Sequence, residues 1–261
     1  MSRLALDFGC GSLKLAGSLD TAPGQTGLLI VSGGNEIRSG AFSGQARLAA
    51  RMAAKGFPVF RFDRRGVGDS EGENRGFRKS ARDIEAALIA FRAMAPQIER
   101  VIGFGNCDAA SALMLTKGAG FDGLVLSNPW TIEETEASQD AVPPPAAIRA
   151  RYAAKLKDPR EIGRLLKGGV DLGKLVRGLK KSIGGDAPQS SLADEMSQGL
   201  SEFEGNVSIL LSSADRTAQS FESHWDKADP RIARCAGGTH AYVDPAHRDW
   251  LDTQVLKALR A

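Results

Sequence analysis

Short apolar runs alternate with longer amphipathic runs along the first half of this chain. The runs typical of strands are Gly27–Val31, Pro58–Phe62, Arg100–Phe104 and Gly123–Leu126. The first and last of these are continuously apolar, as expected for strands that are buried on both faces of a sheet. Between the runs, Gly44–Lys55 and Ser80–Met94 carry apolar residues at helical spacing. This alternation of strand and helix with short loops predicts a mostly parallel sheet.

The two ends of the chain extend the pattern. Arg3–Phe8 and Ser12–Leu19 alternate like strands, and Asn206–Ser212 and Arg231–Cys235 resume the sheet near the carboxyl terminus. His247–Arg260 closes the chain with an amphipathic helix. The predicted fold class is α/β: a mostly parallel, roughly eight-stranded sheet with helices on both faces.

The alternation stops between residues 131 and 205. This segment has an acidic start, a run of three prolines and a basic stretch with helical character, and it contains no convincing buried strand. We therefore predict a core formed by residues 1–130 and 206–261, interrupted by a helical cap insertion at 131–205. The stretch 146–181 has eleven Lys and Arg residues against three acidic residues. It could contact an anionic partner, although a solvated helix face is the commoner reason for such a run.

The amino-acid composition of the chain argues against several classes of function. With 34 basic and 31 acidic residues among 261, the net charge of +3 gives no argument for nucleic-acid binding. We see no signal peptide and no apolar run of membrane length, and three widely spaced cysteines suit a reducing, cytoplasmic setting rather than a disulfide framework. The three histidines and three cysteines lack the spacing of a metal site, and we find no convincing nucleotide-binding motif. We expect neither a metal nor a cofactor.

The most informative stretch joins a strand to a helix through a cysteine. Arg100–Phe104 is followed by a tight turn with Cys107 between Gly105 and Ala109, and Ala110–Leu115 then favours a helix. A helix N-terminus favours a thiolate and can offer a backbone N–H to an oxyanion. A small buried cysteine in an ordinary turn is the alternative interpretation of this stretch alone.

A second motif gives this stretch its context. Asp63–Ser70 reads DRRGVGDS and resembles the D-x-R-G-x-G-x-S loop of α/β-hydrolases. The turn around Cys107 is similar to the nucleophile elbow of that superfamily, G-x-Nuc-x-G, with cysteine in place of the usual serine and Ala109 in place of the last glycine. The resemblance covers almost the whole chain outside the insertion. It implies an α/β-hydrolase fold.

The same resemblance implies a catalytic triad. The superfamily order is nucleophile, acid, histidine, and Cys107, Asp215 and His240 follow three predicted strands in that order. We expect Cys107 to be the nucleophile and His240 the base, with Asp215 orienting the imidazole.

The loop that follows Gly27–Val31 would complete an oxyanion hole in this superfamily. We expect the backbone N–H groups of Asn35 and Asp108 to bind the oxyanion, with Gly34 as a further candidate for substrate binding. Arg38 could bind a substrate carboxylate or phosphate. A surface salt bridge is the alternative role for Arg38.

A narrower resemblance rests on three segments. They are Gly33-Gly34 with Arg38 downstream, Asp63–Gly72, and Cys107–Ser111 (CDAAS). Together they are similar to the exosortase A system-associated hydrolase 1 family, whose members are associated with bacterial exopolysaccharide loci. Asn35 stands where proline is expected in that family.

These residues favour a thiol-dependent hydrolase that acts on a carboxylic ester or thioester, with a small-molecule or carrier-linked acyl substrate. An acyltransferase that uses the same acyl-enzyme is a second hypothesis. A hydrolase fold that serves only as a scaffold is a third, and an intact Cys–Asp–His set argues against it.

Overall fold

A computed structural model describes residues 2–132 and 191–261. The strands are β1 (Arg3–Cys10), β2 (Leu13–Asp20), β3 (Thr26–Val31), β4 (Val59–Phe62), β5 (Arg100–Asn106), β6 (Gly123–Ser127), β7 (Asn206–Ser212) and β8 (Ile232–Cys235). The α-helices are α1 (Gly44–Ala54), α2 (Ala81–Met94), α3 (Asp108–Leu115), α4 (Ser191–Ser201), α5 (Arg216–Ser223) and α6 (Pro245–Arg260). Most of the predicted cap insertion, including its basic stretch, lies outside the described residues. None of the helices in the described ranges is long and apolar enough to cross a membrane.

The strands form one eight-stranded sheet in the order β1-β2-β4-β3-β5-β6-β7-β8. β1 pairs antiparallel with β2, and β2 pairs antiparallel with β4. All the remaining pairs are parallel. The predicted mostly parallel sheet of about eight strands is confirmed.

The continuous apolar run of β3 supplies both faces of the sheet. Leu28 and Ile30 belong to one hydrophobic cluster, and Leu29 and Val31 belong to the other; none of the four is exposed. Helices α1 and α6 cover the first cluster, and α2, α3, α4 and α5 contribute to the second. The helices therefore lie on both faces, as predicted from the two-sided burial of the strands.

The helix α4 falls inside the predicted insertion by sequence and packs on the core in the structure. Its buried residues Leu192, Met196 and Leu200 join the same cluster as the apolar face of α3. A Cβ on Gly199 would lie 2.1 Å from the carbonyl oxygen of Met114, so a glycine is needed where the two helices meet. The described end of the segment 131–205 thus belongs structurally to the core.

Parallel pairing brings the carboxyl ends of the central strands to one edge of the sheet. The register places Val31 of β3 opposite Gly105 of β5, and Ser212 of β7 opposite Cys235 of β8. The loops that leave these four strands carry all the predicted catalytic and oxyanion-binding residues. In open α/β sheets this edge is where ligands bind.

Candidate active site

Cys107 occupies a strained turn between β5 and α3. Its backbone has φ 62° and ψ −131°, a conformation that costs a residue with a side chain on the order of 1–3 kcal/mol. A Cβ on Gly105 would lie 2.6 Å from the carbonyl carbon of Ala109, which is itself fully buried. The turn therefore needs small residues on both sides of Cys107. It leaves the Cys107 side chain partly exposed at the amino end of a helix.

Asp215 and His240 form a hydrogen-bonded pair beside this turn. The Nδ1 atom of His240 lies 2.9 Å from Oδ2 of Asp215, which also accepts a hydrogen bond from the backbone N–H of Ala218 at 3.3 Å. Asp215 is the N-cap of α5 and is only 8% exposed. Because Nδ1 faces Asp215, Nε2 is the ring nitrogen left for Cys107.

Both Asp215 and Cys107 raise the pKa of His240. Hydrogen bonds to Asp215 and, second, to Cys107 raise the pKa of His240 from 6.5 to about 10, whereas burial acts to lower it. The imidazole therefore holds a proton at neutral pH. A protonated ring in this position stabilises negative charge on the sulfur of Cys107 and can deliver a proton to a leaving group.

The glycine loop after β3 is held by the side chain of Asp108. The backbone N–H of Gly34 donates to Oδ1 of Asp108 at 2.6 Å, and Arg64 donates to Oδ2 of Asp108 at 3.4 Å and to the carbonyl oxygen of Gly34. A Cβ on Gly33 would lie 2.6 Å from the carbonyl oxygen of Asn106, so the loop and the elbow pack backbone to backbone. The sequence predicts only a backbone role for Asp108, and the structure adds a side-chain role, because its carboxylate fixes the facing loop.

Two backbone donors at this corner stay available. Within residues 2–132 and 191–261, neither the N–H of Asn35 nor that of Asp108 has a hydrogen-bond partner. The N–H of Gly34 is already bound, which leaves its candidate role in substrate binding without a free donor in this state. The side chain of Asn35 accepts a hydrogen bond from Asn74 at 2.7 Å.

Arg38 is tied into a polar network of the neighbouring loop. Its guanidinium bonds to Asp63, to Asp69 at 2.8 Å and to the hydroxyl of Ser18 at 3.1 Å. Asp63 is fully buried. These contacts make Arg38 a partner of the buried carboxylate of Asp63.

Two asparagines connect the loops that carry the candidate triad residues. The sequence alone predicts no role for either of them. Asn106 donates to the carbonyl oxygen of His240 at 3.3 Å and accepts from the amide of Asn128 at 3.0 Å. The side-chain oxygen of Asn128 in turn accepts the N–H of Ser212 at 2.8 Å. The only signal in the sequence was their position, since Asn106 precedes Cys107 and Asn128 follows the end of β6.

The remaining cysteines and histidines stand apart from this arrangement. Cys10 and Cys235 lie on β1 and β8, and burial is the main cause that raises the pKa of each thiol. His224 bonds to the carbonyl oxygen of Ser220 at the end of α5, and His247 lies in α6. No group of metal-ligating side chains occurs in the portions of the chain that the structure describes.

The sheet, the elbow and the order of the site residues define an α/β-hydrolase. A profile of the serine aminopeptidase S33 family matches residues 25–176, and the chain belongs to that family of hydrolases. The family is named for serine enzymes, whereas the elbow here carries Cys107. No curated protein sequence matches the chain.

Solved structures share the fold at low sequence identity. The α/β-hydrolase GrgF from Penicillium sp. sh18 is 16% identical, with a TM-score of 0.65 over 100% of this chain and 98% of its own. The Pyrococcus furiosus esterase Pf2001 is 13% identical, with a TM-score of 0.60 over 99% and 90%. Est1E from Butyrivibrio proteoclasticus, solved with ferulic acid bound, is 14% identical, with a TM-score of 0.59 over 98% and 100%. These likenesses concern the fold.

Proposed function

We propose that the protein cleaves carboxylic esters or thioesters through a covalent acyl-enzyme on Cys107. The observation that carries the proposal is the placement of His240 at the strained elbow, where its ring bonds to Asp215 at 2.9 Å and its pKa is raised by both Asp215 and the partly exposed Cys107. Membership of a hydrolase family and the esterase folds among the structural neighbours support the reaction class.

In the acylation step, the negatively charged sulfur of Cys107, stabilised by protonated His240, forms a bond to the acyl carbon of the substrate. The carbonyl oxygen becomes negative and accepts hydrogen bonds from the unpaired N–H groups of Asn35 and Asp108. The bond from the acyl carbon to the leaving oxygen or sulfur then breaks. The proton on His240 passes to the leaving group, so that a thioester on Cys107 and a free alcohol or thiol result.

In the deacylation step, His240 removes a proton from water and the hydroxide attacks the thioester carbon. The carbon–sulfur bond breaks, the carboxylic acid leaves, and the sulfur of Cys107 regains its negative charge while His240 keeps the proton taken from water, which restores the starting state. Asp215 keeps Nδ1 protonated and stabilises the imidazolium in both steps without itself taking the proton.

The cellular setting is part of the same proposal. The three segments that resemble the exosortase A system-associated hydrolases support an acyl substrate from exopolysaccharide metabolism. All three cysteines are free, which suits a reducing compartment in which the Cys107 thiol persists.

Intact-mass spectrometry tests the proposal. The protein is mixed with short and medium p-nitrophenyl esters and with acyl thioesters, alongside Cys107→Ala and the control Cys235→Ala, which removes a buried thiol. We expect a transient adduct of the acyl mass on wild type and on the control, mapped to Cys107, and none on Cys107→Ala. An adduct that clears in water supports hydrolysis, whereas one that persists until an alcohol or amine is added means acyl transfer. Full turnover by Cys107→Ala would overturn the proposal.

A further inference from the structure

A cavity of about 120 Å³ lies beside the histidine of the candidate triad. One side is formed by the loop after β3 and the first turn of α1, and the other by the loop after β8 and the start of α6. His240 and Asn106 border it, whereas Cys107 and Asp108 are not among its lining residues. The cavity is therefore adjacent to the proton donor rather than to the nucleophile and the oxyanion donors. A volume of this order accepts a group about the size of a benzene ring.

The walls of the cavity are largely apolar. They are formed by Phe42, Leu48, Phe104, Tyr242, Val243 and Leu251. Phe42 and Val243 are 73% and 51% exposed, which places them at the rim, whereas Leu48, Phe104 and Tyr242 are buried. Large exposed apolar side chains around a concave site are typical of ligand-binding surfaces.

Positive charge is concentrated in the same lining. Arg47, Arg51 and Arg248 contribute to it, and only Arg51 has an ion-pair partner in the described portions of the chain, at 2.8 Å from Asp252. The carboxylate in the lining, that of Glu36, accepts the backbone N–H of Ala41 at 3.2 Å.

The amino end of α1 adds to this charge. Gly44 and Gln45, in its first turn, line the cavity, and no side chain caps this 11-residue helix. The backbone N–H groups of Gly44 and Ala46 already donate to the carbonyl oxygens of Ala41 and Ser39, so the helix contributes mainly its dipole, which favours an anion at this end. Among the described residues, the edge of this apolar cavity therefore has two guanidinium groups without an ion-pair partner, and the dipole of α1 adds positive potential.

We propose that this cavity binds the leaving group of the substrate and selects one with an apolar body and an anionic end, such as a carboxylate or a phosphate. This proposal rests on the proposed function, because His240 protonates the leaving group and the cavity is bordered by His240. Arg248 and Arg47 bind the anion. The apolar walls hold the ring or chain that connects it to the scissile bond.

Paired aryl esters of one short acid test the selection. The leaving groups are 4-hydroxybenzoate, 4-hydroxyphenyl phosphate and 4-chlorophenol, which separate a carboxylate, a phosphate and a neutral end of comparable size. We expect at least one anionic ester to have a KM about tenfold lower than the neutral one, the effect of one charge-assisted hydrogen bond. Arg248→Gln should abolish this preference, Arg248→Lys should keep part of it, and Arg260→Gln on the exposed last turn of the same helix should change nothing.

A binding measurement separates the two proposals. Calorimetry with 4-hydroxybenzoate, 4-hydroxyphenyl phosphate and 4-chlorophenol needs no turnover, and we expect an anionic phenol to bind wild type more tightly than Arg248→Gln. If no ester is cleaved but this binding difference holds, the proposed function fails and the anion site stands. If esters are cleaved with equal KM and the phenols bind equally well to wild type and variant, the cavity proposal is overturned and the hydrolase proposal stands.

Discussion

Replacing Asp215 with asparagine tests the electrostatics of the candidate triad. The substitution removes the negative charge next to Nδ1 of His240 while keeping the size of the side chain. Asp215 is also the N-cap of α5, and asparagine is as good an N-cap as aspartate, so the helix should keep its amino end. Any change in the pKa of His240 then results from the lost charge rather than from a lost helix cap.

The hydrogen bond to Asp215 is the largest of the causes that raise the pKa of His240 from 6.5 to about 10. An opposite charge at hydrogen-bond distance shifts a pKa by roughly 1–3 units, so we expect the variant to lower the pKa of His240 by about 2. A shift of about 2 pKa units corresponds to about 2.7 kcal/mol of interaction free energy between Asp215 and protonated His240, before solvent screening is included. Because 36% of the His240 side chain is exposed, solvent reduces the contribution to stability to about 1–1.5 kcal/mol.

The sign of the pH dependence follows from the raised pKa. The folded protein holds the His240 proton more tightly than the unfolded chain, so this stabilisation is complete below pH 6.5 and is lost as pH rises through about 10. With the pKa of His240 about 2 units lower in Asp215→Asn, both proteins should lose stability in parallel from pH 6.5 to about 8. Between about pH 8 and 10 the free energy of unfolding of the wild type alone should continue to fall. Urea unfolding of both proteins at pH 6, 8 and 10 measures the difference.

Nuclear magnetic resonance of the imidazole ring gives the pKa directly. Titration of the His240 ring signals from pH 5 to 11 in wild type and Asp215→Asn measures the shift, with Glu222→Gln, on the same helix but bonded to Arg234, as the control. A wild-type His240 pKa near 6.5, or a value in Asp215→Asn within half a unit of wild type, would refute the reasoning.

Three further substitutions test other parts of the site. Gly105→Ala places a Cβ 2.6 Å from the carbonyl carbon of Ala109 and should lower the free energy of unfolding by about 1–3 kcal/mol in urea; unchanged stability would mean that the turn is not close-packed. Asn106→Ala removes the donor to the carbonyl oxygen of His240 and, if His240 is the proposed base, should lower kcat by up to about a hundredfold at unchanged fold, as small misplacements of catalytic groups do; an unaltered kcat would contradict the positioning role of Asn106. Arg38→Ala leaves Asp63 buried without its partner and should destabilise the protein by about 3–5 kcal/mol. A raised KM at unchanged stability would instead indicate that Arg38 binds the substrate.

The sheet was predictable because parallel strands have a distinctive pattern. Runs such as Gly27–Val31 are apolar on both faces, and the structure shows that alternate residues of β3 enter different core clusters. The antiparallel strands β1 and β2 were predictable from their alternation. The limit of the insertion was harder to place, because the apolar spacing of Ser191–Ser201 is that of any amphipathic helix and does not reveal whether the helix packs on the core.

The shared location of the candidate triad residues is understandable from chain order and topology. Parallel strands deliver their following loops to one edge of the sheet, so Cys107, Asp215 and His240 lie on loops at the same edge once their three strands are assigned. The strained turn was predictable too, since Gly105 and Ala109 are the residue types that such a close approach requires.

Side-chain contacts between loops could not be read in the same way. Asp108 lies next to the nucleophile in sequence, but its carboxylate acts 74 positions away, on the N–H of Gly34. Which loop faces the first turn of α3 depends on the strand order, and which way a short polar side chain turns depends on the donors that it finds there. The same applies to Asn106 and Asn128, whose amides meet only because β5 and β6 are neighbours. The hydrogen-bond partners of such polar residues are set by topology and not by a local sequence pattern. A structure therefore reveals these positioning residues, whereas a single sequence does not.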